Sequence, residues 1–307
     1  MKNAGPEIKK ILDEFRRELS PVYDRNELEQ IIRMLVSRFL GMNMADARIR
    51  GDEVPGDDAR ALFRNALEDL RRFRPVQYII GMTSFCGTEL RVAPGVLIPR
   101  PETEELVGLV ISDNRQKGYQ EFSILDIGTG SGCIAIALSH AFPFARTEAL
   151  DVSPDALQLA ALNSEMNGIK VNFRLGDILD PEASASLPGY HLIVRNPPYV
   201  TESEKTTMKP NVLEYEPGQA LFVPDSDPLV FCKAIGAFAW KHLVRPGTLW
   251  LEINERYGQE VKALMESIGF DRVEVIRDLR DKDRFVRSEA KHDMADTSYW
   301  MADKQFP

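Results

Sequence analysis

The chain has 307 residues, 44% hydrophobic and 28% charged, the composition of a folded globular protein and not of a disordered or fibrous one. Its 38 basic and 47 acidic residues leave a net charge of −9, which weighs against an extended nucleic-acid backbone as partner. No window approaches the roughly 18 apolar residues of a membrane span, the start MKNAGPEIKK has no apolar signal core, and the three dispersed cysteines point to a reducing, cytoplasmic setting.

From Ile8 to Arg74 apolar residues recur every three or four positions: Ile8, Ile11, Leu12 and Phe15, then Leu28, Ile31, Ile32, Leu35 and Phe39, then Phe63, Ala66, Leu67 and Leu70. Breaks fall at Ser20-Pro21 and across 51–56, so residues 1–74 are predicted to form a small helical domain. Aromatic and β-branched residues with Gly81, Gly87 and Gly95 predict a β-hairpin linker over 75–97. From Phe122 onward, short apolar runs alternate with helical patterns. Strands are predicted at 122–126, 148–151, 171–175, 191–194, 248–253, 273–276 and 284–286, and helices from Cys133 and over 154–166, 228–243 and 258–268. That alternation predicts a doubly wound α/β domain over 98–287, with a mostly parallel, Rossmann-like seven-stranded sheet and an antiparallel pair at one edge. Residues 288–307 read as a polar tail. The net negative charge lies entirely after residue 90. A duplex-binding cleft there would need strong local exceptions.

Leu125-Asp126-Ile127-Gly128-Thr129-Gly130-Ser131-Gly132-Cys133 follows a predicted strand and opens a helix, where a doubly wound sheet offers backbone N–H groups to a ligand. The pattern departs from the dinucleotide fingerprint, because Cys133 stands where a third packing glycine is expected. S-adenosylmethionine, which has no pyrophosphate, suits the turn better, with Asp126, Gly128, Thr129 and Gly130 as candidate contacts. Asp151, ending the next strand, can accept both ribose hydroxyls, and Asp177 follows the third strand where an adenine amino group would arrive.

Ile193-Val194-Arg195-Asn196-Pro197-Pro198-Tyr199 ends the fourth strand of this series on the ligand-binding rim. Two prolines fix φ and carry no N–H, so the carbonyls here can face a ligand from a stiff corner. Such a corner suits methyl transfer to a planar NH₂, whose delocalised lone pair makes the nitrogen a poor nucleophile. The Asn196 side-chain oxygen and the Pro197 carbonyl can hold its two hydrogens and stabilise the charge that develops, while Tyr199 offers a flat face. Positioning of this kind is worth on the order of 7–11 kcal/mol in favourable intramolecular models, so no strong general base is required. His140, His191, His242 and His292 are scattered, and no metal site is expected.

On these residues the chain resembles the HemK-like family of protein-(glutamine-N5) methyltransferases, which modify peptide chain release factors. The likeness runs from about Glu27 to Arg287 and is most specific in Pro75–Gly81, Val96–Val107, Asp126–Ser139, Asn196–Tyr199 and Val212–Pro217. It implies a class I methyltransferase fold using S-adenosylmethionine, with S-adenosylhomocysteine as product and the glutamine of a release factor's Gly-Gly-Gln loop as acceptor. It implies Asn196 and Pro197 on the amide nitrogen, Tyr199 against the amide plane, Pro198 as a further substrate contact, and Asn196 also bordering the cofactor. Arg100, Pro101, Glu102 and Thr103 would line the cleft, and the helical front domain would dock the protein substrate. From the residues alone, Pro99-Arg100-Pro101 reads as a rigid extended turn, and Glu102 and Glu104 as first-turn helix acids. Where the family commonly has an acidic and a small residue, this chain has His191, read as a half-exposed strand end, and Arg195, read as solvated or ion-paired. A monomer without direct nucleic-acid or membrane contact is expected. The Asn-Pro-Pro-Tyr motif is shared with adenine-N6 methyltransferases, which makes an exocyclic amino group of a nucleic acid the alternative acceptor; a non-catalytic cofactor-binding partner of translation factors has no need of the Asn196–Tyr199 pair.

Overall fold

The computed structural model describes residues 5–115, 117, 121–180, 182 and 186–290, and the chain folds as two compact units. One unit holds the chain through Thr83 with Val92–Pro94 and Met208–Glu216. Its helices are α1 (Ile8–Leu19), α2 (Arg25–Leu40), α3 (Met44–Ile49), α4 (Asp57–Arg71) and α5 (Val76–Ile80), with one more turn of helix at Pro210–Leu213. The apolar stripes seen in the sequence are the faces that meet in its core: Ile8, Ile11, Leu12 and Phe15 of α1, Leu28, Ile31, Ile32 and Leu35 of α2, and Phe63 and Leu67 of α4 are all buried. Phe63 stands edge-on to both Phe15 and Phe39. The start of α2 is fixed by Asp24, whose carboxylate accepts the Asn26 and Glu27 N–H groups, and its end by Gly41 in the left-handed region.

The hairpin expected over 75–97 begins later than predicted. Val76–Ile80 is a turn of helix with Pro75 ahead of it and Gly81 (φ 74°) terminating it. The β-branched composition favoured a strand, but the flanking proline and glycine cap a helix. The hairpin itself is β1 (Met82–Phe85) and β2 (Thr88–Arg91), joined through Cys86 and Gly87, both at positive φ as a tight two-residue turn requires.

The second unit comprises Ser84–Arg91, Gly95–Thr207 and the chain from Pro217. In order it contains α6 (Pro101–Asn114), β3 (Ser123–Ile127), α7 (Cys133–Ala141), β4 (Arg146–Asp151), α8 (Pro154–Met166), β5 (Asn172–Leu175), β6 (Tyr190–Arg195), β7 (Val200–Thr201), β8 (Phe222–Val223), α9 (Val230–His242), β9 (Leu243–Glu252), α10 (Gly258–Ile268), β10 (Arg272–Arg277) and β11 (Asp283–Ala290). Seven strands form one sheet in the order β10-β11-β9-β6-β3-β4-β5. The five from β9 to β5 run parallel, and β11 pairs antiparallel with both β9 and β10. Strand residues alternate between two cores. Leu125, Ile193, Leu249 and Leu251 pack with α9 and α10, whereas Ile124, Leu192, Val194 and Trp250 pack with α6 and α7. Burial on both faces is why these strands read as continuous apolar runs.

Two expectations change. Pro101 does not sit in an extended turn but opens α6, at the first helical position where its missing N–H costs nothing. The last strand runs to Ala290, with Ser288 and Ala290 buried, so the predicted polar tail starts inside the sheet; residues 291–307 lie outside the described residues. Among the described residues no helix is long and apolar enough to cross a membrane.

The sheet changes winding direction at β3, which has β4 on one side and β6 on the other. The loops leaving β3 and β6 therefore open side by side at the carboxyl edge, the customary ligand position in a doubly wound fold.

Candidate active site

The loop after β3 is tied down from outside. Gly128 and Thr129 donate their N–H groups to the Leu150 carbonyl at 2.6 and 3.0 Å, joining the turn to the end of β4. Asp126 braces it from below: its Oδ2 accepts the Thr129 hydroxyl at 2.6 Å and the Ala135 N–H at 3.2 Å. Asp126 is fully buried, its Oδ1 has no partner among the described residues, and burial pushes its carboxyl up to about 7. Gly128 sits at φ 65°, where glycine is favoured, and a Cβ there would stand 2.5 Å from Arg195 Nη1, so that guanidinium would have to move.

Above the turn lies a cavity of about 300 Å³, at the lower end of ligand-pocket sizes. Gly128, Thr129, Gly130, Asp151, Asp177, Asn196, Pro198, Arg100 and Thr103 all line it. Asp151 is held by two backbone donors, Gly130 N to Oδ2 at 2.8 Å and Ser153 N to Oδ1 at 2.9 Å. Each oxygen keeps a lone pair for a further donor, as a ribose diol requires. Asp177 accepts the Leu179 N–H through Oδ1, which leaves Oδ2 for the cavity. These acceptors fit the donors of S-adenosylmethionine, and the apolar walls Val96, Ile134, Val152 and Ile178 fit a flat base.

Several predicted contacts do not reach the cavity wall. Asp126 lies beneath the turn, Pro101 is exposed at the start of α6, and Glu102 pairs with Arg280 at 3.4 Å. Pro197 is buried, and Tyr199 turns its hydroxyl onto Glu252 Oε1 at 3.0 Å. Arg195 is neither solvated nor ion-paired, contrary to expectation. It is 7% exposed and stacked over Phe231, with no hydrogen bond or ion pair to any described residue. His191 is half-buried at the start of the interior strand β6, with Nδ1 2.8 Å from Ser123 Oγ.

Sequence reading passed over Glu252 at the end of β9. It is fully buried and receives two hydroxyls, Tyr199 at Oε1 and Thr103 at Oε2, the latter at 2.7 Å. Thr103 in turn accepts the Asn196 Nδ2–H at 2.9 Å. A hydroxyl has one proton, and with that proton committed to the carboxylate Thr103 can only accept from Asn196. The amide of Asn196 is thereby fixed with its nitrogen toward Thr103, and among the described residues its Oδ1 receives no hydrogen bond. Burial raises the Glu252 carboxyl to about 7 and also raises the Tyr199 hydroxyl. The available signal was a carboxylate in the apolar run Leu249-Trp250-Leu251-Glu252-Ile253, a composition that strands rarely bury without a task. Among the described residues no group of His, Cys, Asp and Glu is arranged to hold a metal ion.

Comparison with known proteins bears on this site. Residues 10–81 match the family model of the PrmC N-terminal domain, and residues 109–214 that of the methyltransferase small domain. A release factor glutamine methyltransferase of Bacteroides thetaiotaomicron is 41% identical over 272 residues, spanning 88% of this chain and 96% of its own length. One from Flavobacterium psychrophilum is 37% identical over 281 residues, 91% and 98% of the two chains. Among solved structures, a Thermus thermophilus 16S rRNA N2 G1207 methyltransferase in complex with AdoMet and guanosine superposes with a TM-score of 0.51 at 18% identity, covering 69% of this chain and 50% of that one, a likeness of fold.

Proposed function

Because the chain belongs to the release factor glutamine methyltransferase family, we propose that it transfers the methyl group of S-adenosylmethionine to the side-chain amide nitrogen of the glutamine in a release factor's Gly-Gly-Gln loop. The observation that carries this reading is the Glu252–Thr103–Asn196 chain of hydrogen bonds, which leaves the Asn196 Oδ1 as a pre-aimed acceptor beside the cavity. S-adenosylmethionine supplies an electrophilic sulfonium methyl. The protein supplies position: Asp151 accepts the ribose hydroxyls, Asp177 the adenine amino group, and the turn Gly128–Gly130 lies against the methionyl end. Asn196 Oδ1 and the Pro197 carbonyl accept hydrogen bonds from the two N–H groups of the acceptor amide; as the N–CH3 bond forms and the S–CH3 bond breaks, S-adenosylhomocysteine leaves and one amide proton is released to solvent. Holding both hydrogens orients the nitrogen, favours its pyramidalisation and stabilises the positive charge that grows on it. Tyr199, anchored by Glu252, stiffens the corner and offers its ring to the amide plane.

An amide and an exocyclic base amine present the same NH₂ geometry, so the corner alone does not select between them. The acidic composition after residue 90 and the family membership favour the protein acceptor. The deciding experiment incubates the protein and labelled cofactor with a purified release factor, and separately with duplex DNA and transfer RNA. Label is expected in the peptide carrying Gly-Gly-Gln; label in nucleic acid alone overturns the proposal.

A further inference from the structure

Arg195 is a charged group of the cavity wall that the proposed chemistry leaves without a task. It ends β6, is 7% exposed, and its Nε is completely buried without a partner. Its Cζ lies 5.1 Å from the centroid of the Phe231 ring, and its Nη atoms lie against Gly128, where a Cβ would come within 2.5 and 3.1 Å of them. A guanidinium this far withdrawn from water, with its Nε unpartnered and no ion pair among the described residues, is costly, and it borders the cavity. The group responds accordingly: burial pushes it down to about 10, although Asp151, Asp126 and Asp177 pull it back up from beyond ion-pair range.

Those three carboxylates are not its natural partners. Asp151 is clamped by two backbone N–H groups and Asp126 lies under the turn on Thr129 and Ala135. The charged groups on the cavity wall are Asp151, Asp177, Arg100 and Arg195. Of the two cations, Arg100 is half-exposed and already engaged, so the buried, unengaged Arg195 is the one positioned to receive an anion.

We propose that Arg195 is the recognition residue for the aminoacyl carboxylate of the cofactor. This rests on the reading of the cavity as an S-adenosylmethionine site. The ribose diol, the adenine amino group and the aminoacyl ammonium of that molecule are donors and suit the acidic and carbonyl groups of the wall. The carboxylate accepts only, and a planar guanidinium beside the glycine turn matches it in charge and fork geometry.

The test compares two ligands that differ only in that carboxylate, S-adenosylhomocysteine and its decarboxylated counterpart 5′-deoxy-5′-(3-aminopropylthio)adenosine, by isothermal titration of the full chain. The wild type is expected to bind the first about 10- to 100-fold more tightly, the range of a charge-assisted hydrogen-bonded pair. In Arg195→Met the affinity for S-adenosylhomocysteine falls by that factor while the counterpart is unaffected, so the ratio approaches one. Equal weakening of both ligands, or unchanged binding of S-adenosylhomocysteine, overturns the assignment. Should the methionine variant not fold, Arg195→Gln is read in the same way. A wild type that binds neither ligand overturns the cofactor reading itself, and this inference with it.

Discussion

Asn196 is where one side chain carries most of the chemistry, and its contribution separates cleanly from cofactor binding. Its nitrogen is spent on Thr103, so truncation removes an acceptor for the substrate amide without opening the ribose or adenine contacts at Asp151 and Asp177. Asn196→Ala is expected to lower kcat by about 10²–10³-fold, the usual loss for one preorganised polar contact to developing charge, with S-adenosylhomocysteine affinity within a few-fold of wild type. Parallel loss of turnover and affinity, measured by single-turnover assay and titration, would remove the role assigned here. Glu252 acts one step back. As a carboxylate it must accept from both Thr103 and Tyr199; once protonated it becomes a donor, frees the Thr103 proton and releases the Asn196 amide to turn. With that carboxyl raised to about 7, kcat is expected to fall as pH drops below about 7. In Glu252→Gln the plateau is lower and this limb is absent, which distinguishes Glu252 from Asp126, titrating in the same range under the glycine turn. A retained acidic limb in that variant would assign it elsewhere. Position after a strand was enough to single out Asp151, Asp177 and Asn196 from sequence. Glu252 was not legible in that way, because its partner Thr103 stands 149 positions earlier and only the closed sheet brings them together.

At the scale of elements, the junction of β3, α7 and α8 decides whether the cavity has a floor. Gly132 precedes α7 at φ 82°, and a Cβ there would lie 3.1 Å from Ala160 Cβ and 3.2 Å from Ile136 Cδ1, between the two helices. Gly132→Ala therefore combines left-handed strain with overpacking and is expected to cost about 1–3 kcal/mol in urea unfolding. Because α7 and the glycine turn would shift together, S-adenosylhomocysteine should bind more weakly as well; an unchanged unfolding midpoint would contradict the packing described. The same reasoning separates the elements that sequence revealed from those it did not. Long periodic stretches such as α1, α2 and α8 were plain, since their stripes exceed two turns. The turn of helix α5 was hidden by its β-branched residues, whereas the start of α6 was visible in Glu102 and Glu104 as first-turn acids and only Pro101, read into the extended turn before them, was misplaced. Short elements take their conformation from caps and packing more than from propensity.

Over the whole molecule, the two raised carboxyls bear on stability as well as rate. Asp126 and Glu252 titrate near 7 when folded and near 4 when unfolded, so between those limits the native state binds more protons than the unfolded chain. Stability then falls as pH rises through that window and levels off above it, by at most about 1.4 kcal/mol per pH unit for each group. His191, lowered by burial, works in the opposite sense below about pH 6.5, and the salt-bridged Asp113 and Asp278 act only below about pH 4. Two groups against one leave a net decline across that window, which fades as pH passes the folded value of about 7. All five residues belong to the sheet-containing unit, and so do Trp240 and Trp250; the third tryptophan, Trp300, lies outside the described residues, and the helical unit contains none. Tryptophan fluorescence therefore follows the relevant unfolding without interference from the other unit. Urea titrations at pH 5, 6, 7 and 8 are expected to show stability decreasing to pH 7 and then flattening, and Glu252→Gln should halve the slope near neutrality. A stability that climbs steadily from pH 5 to 7 would mean that neither carboxyl is held in the apolar surroundings from which the site's geometry was argued.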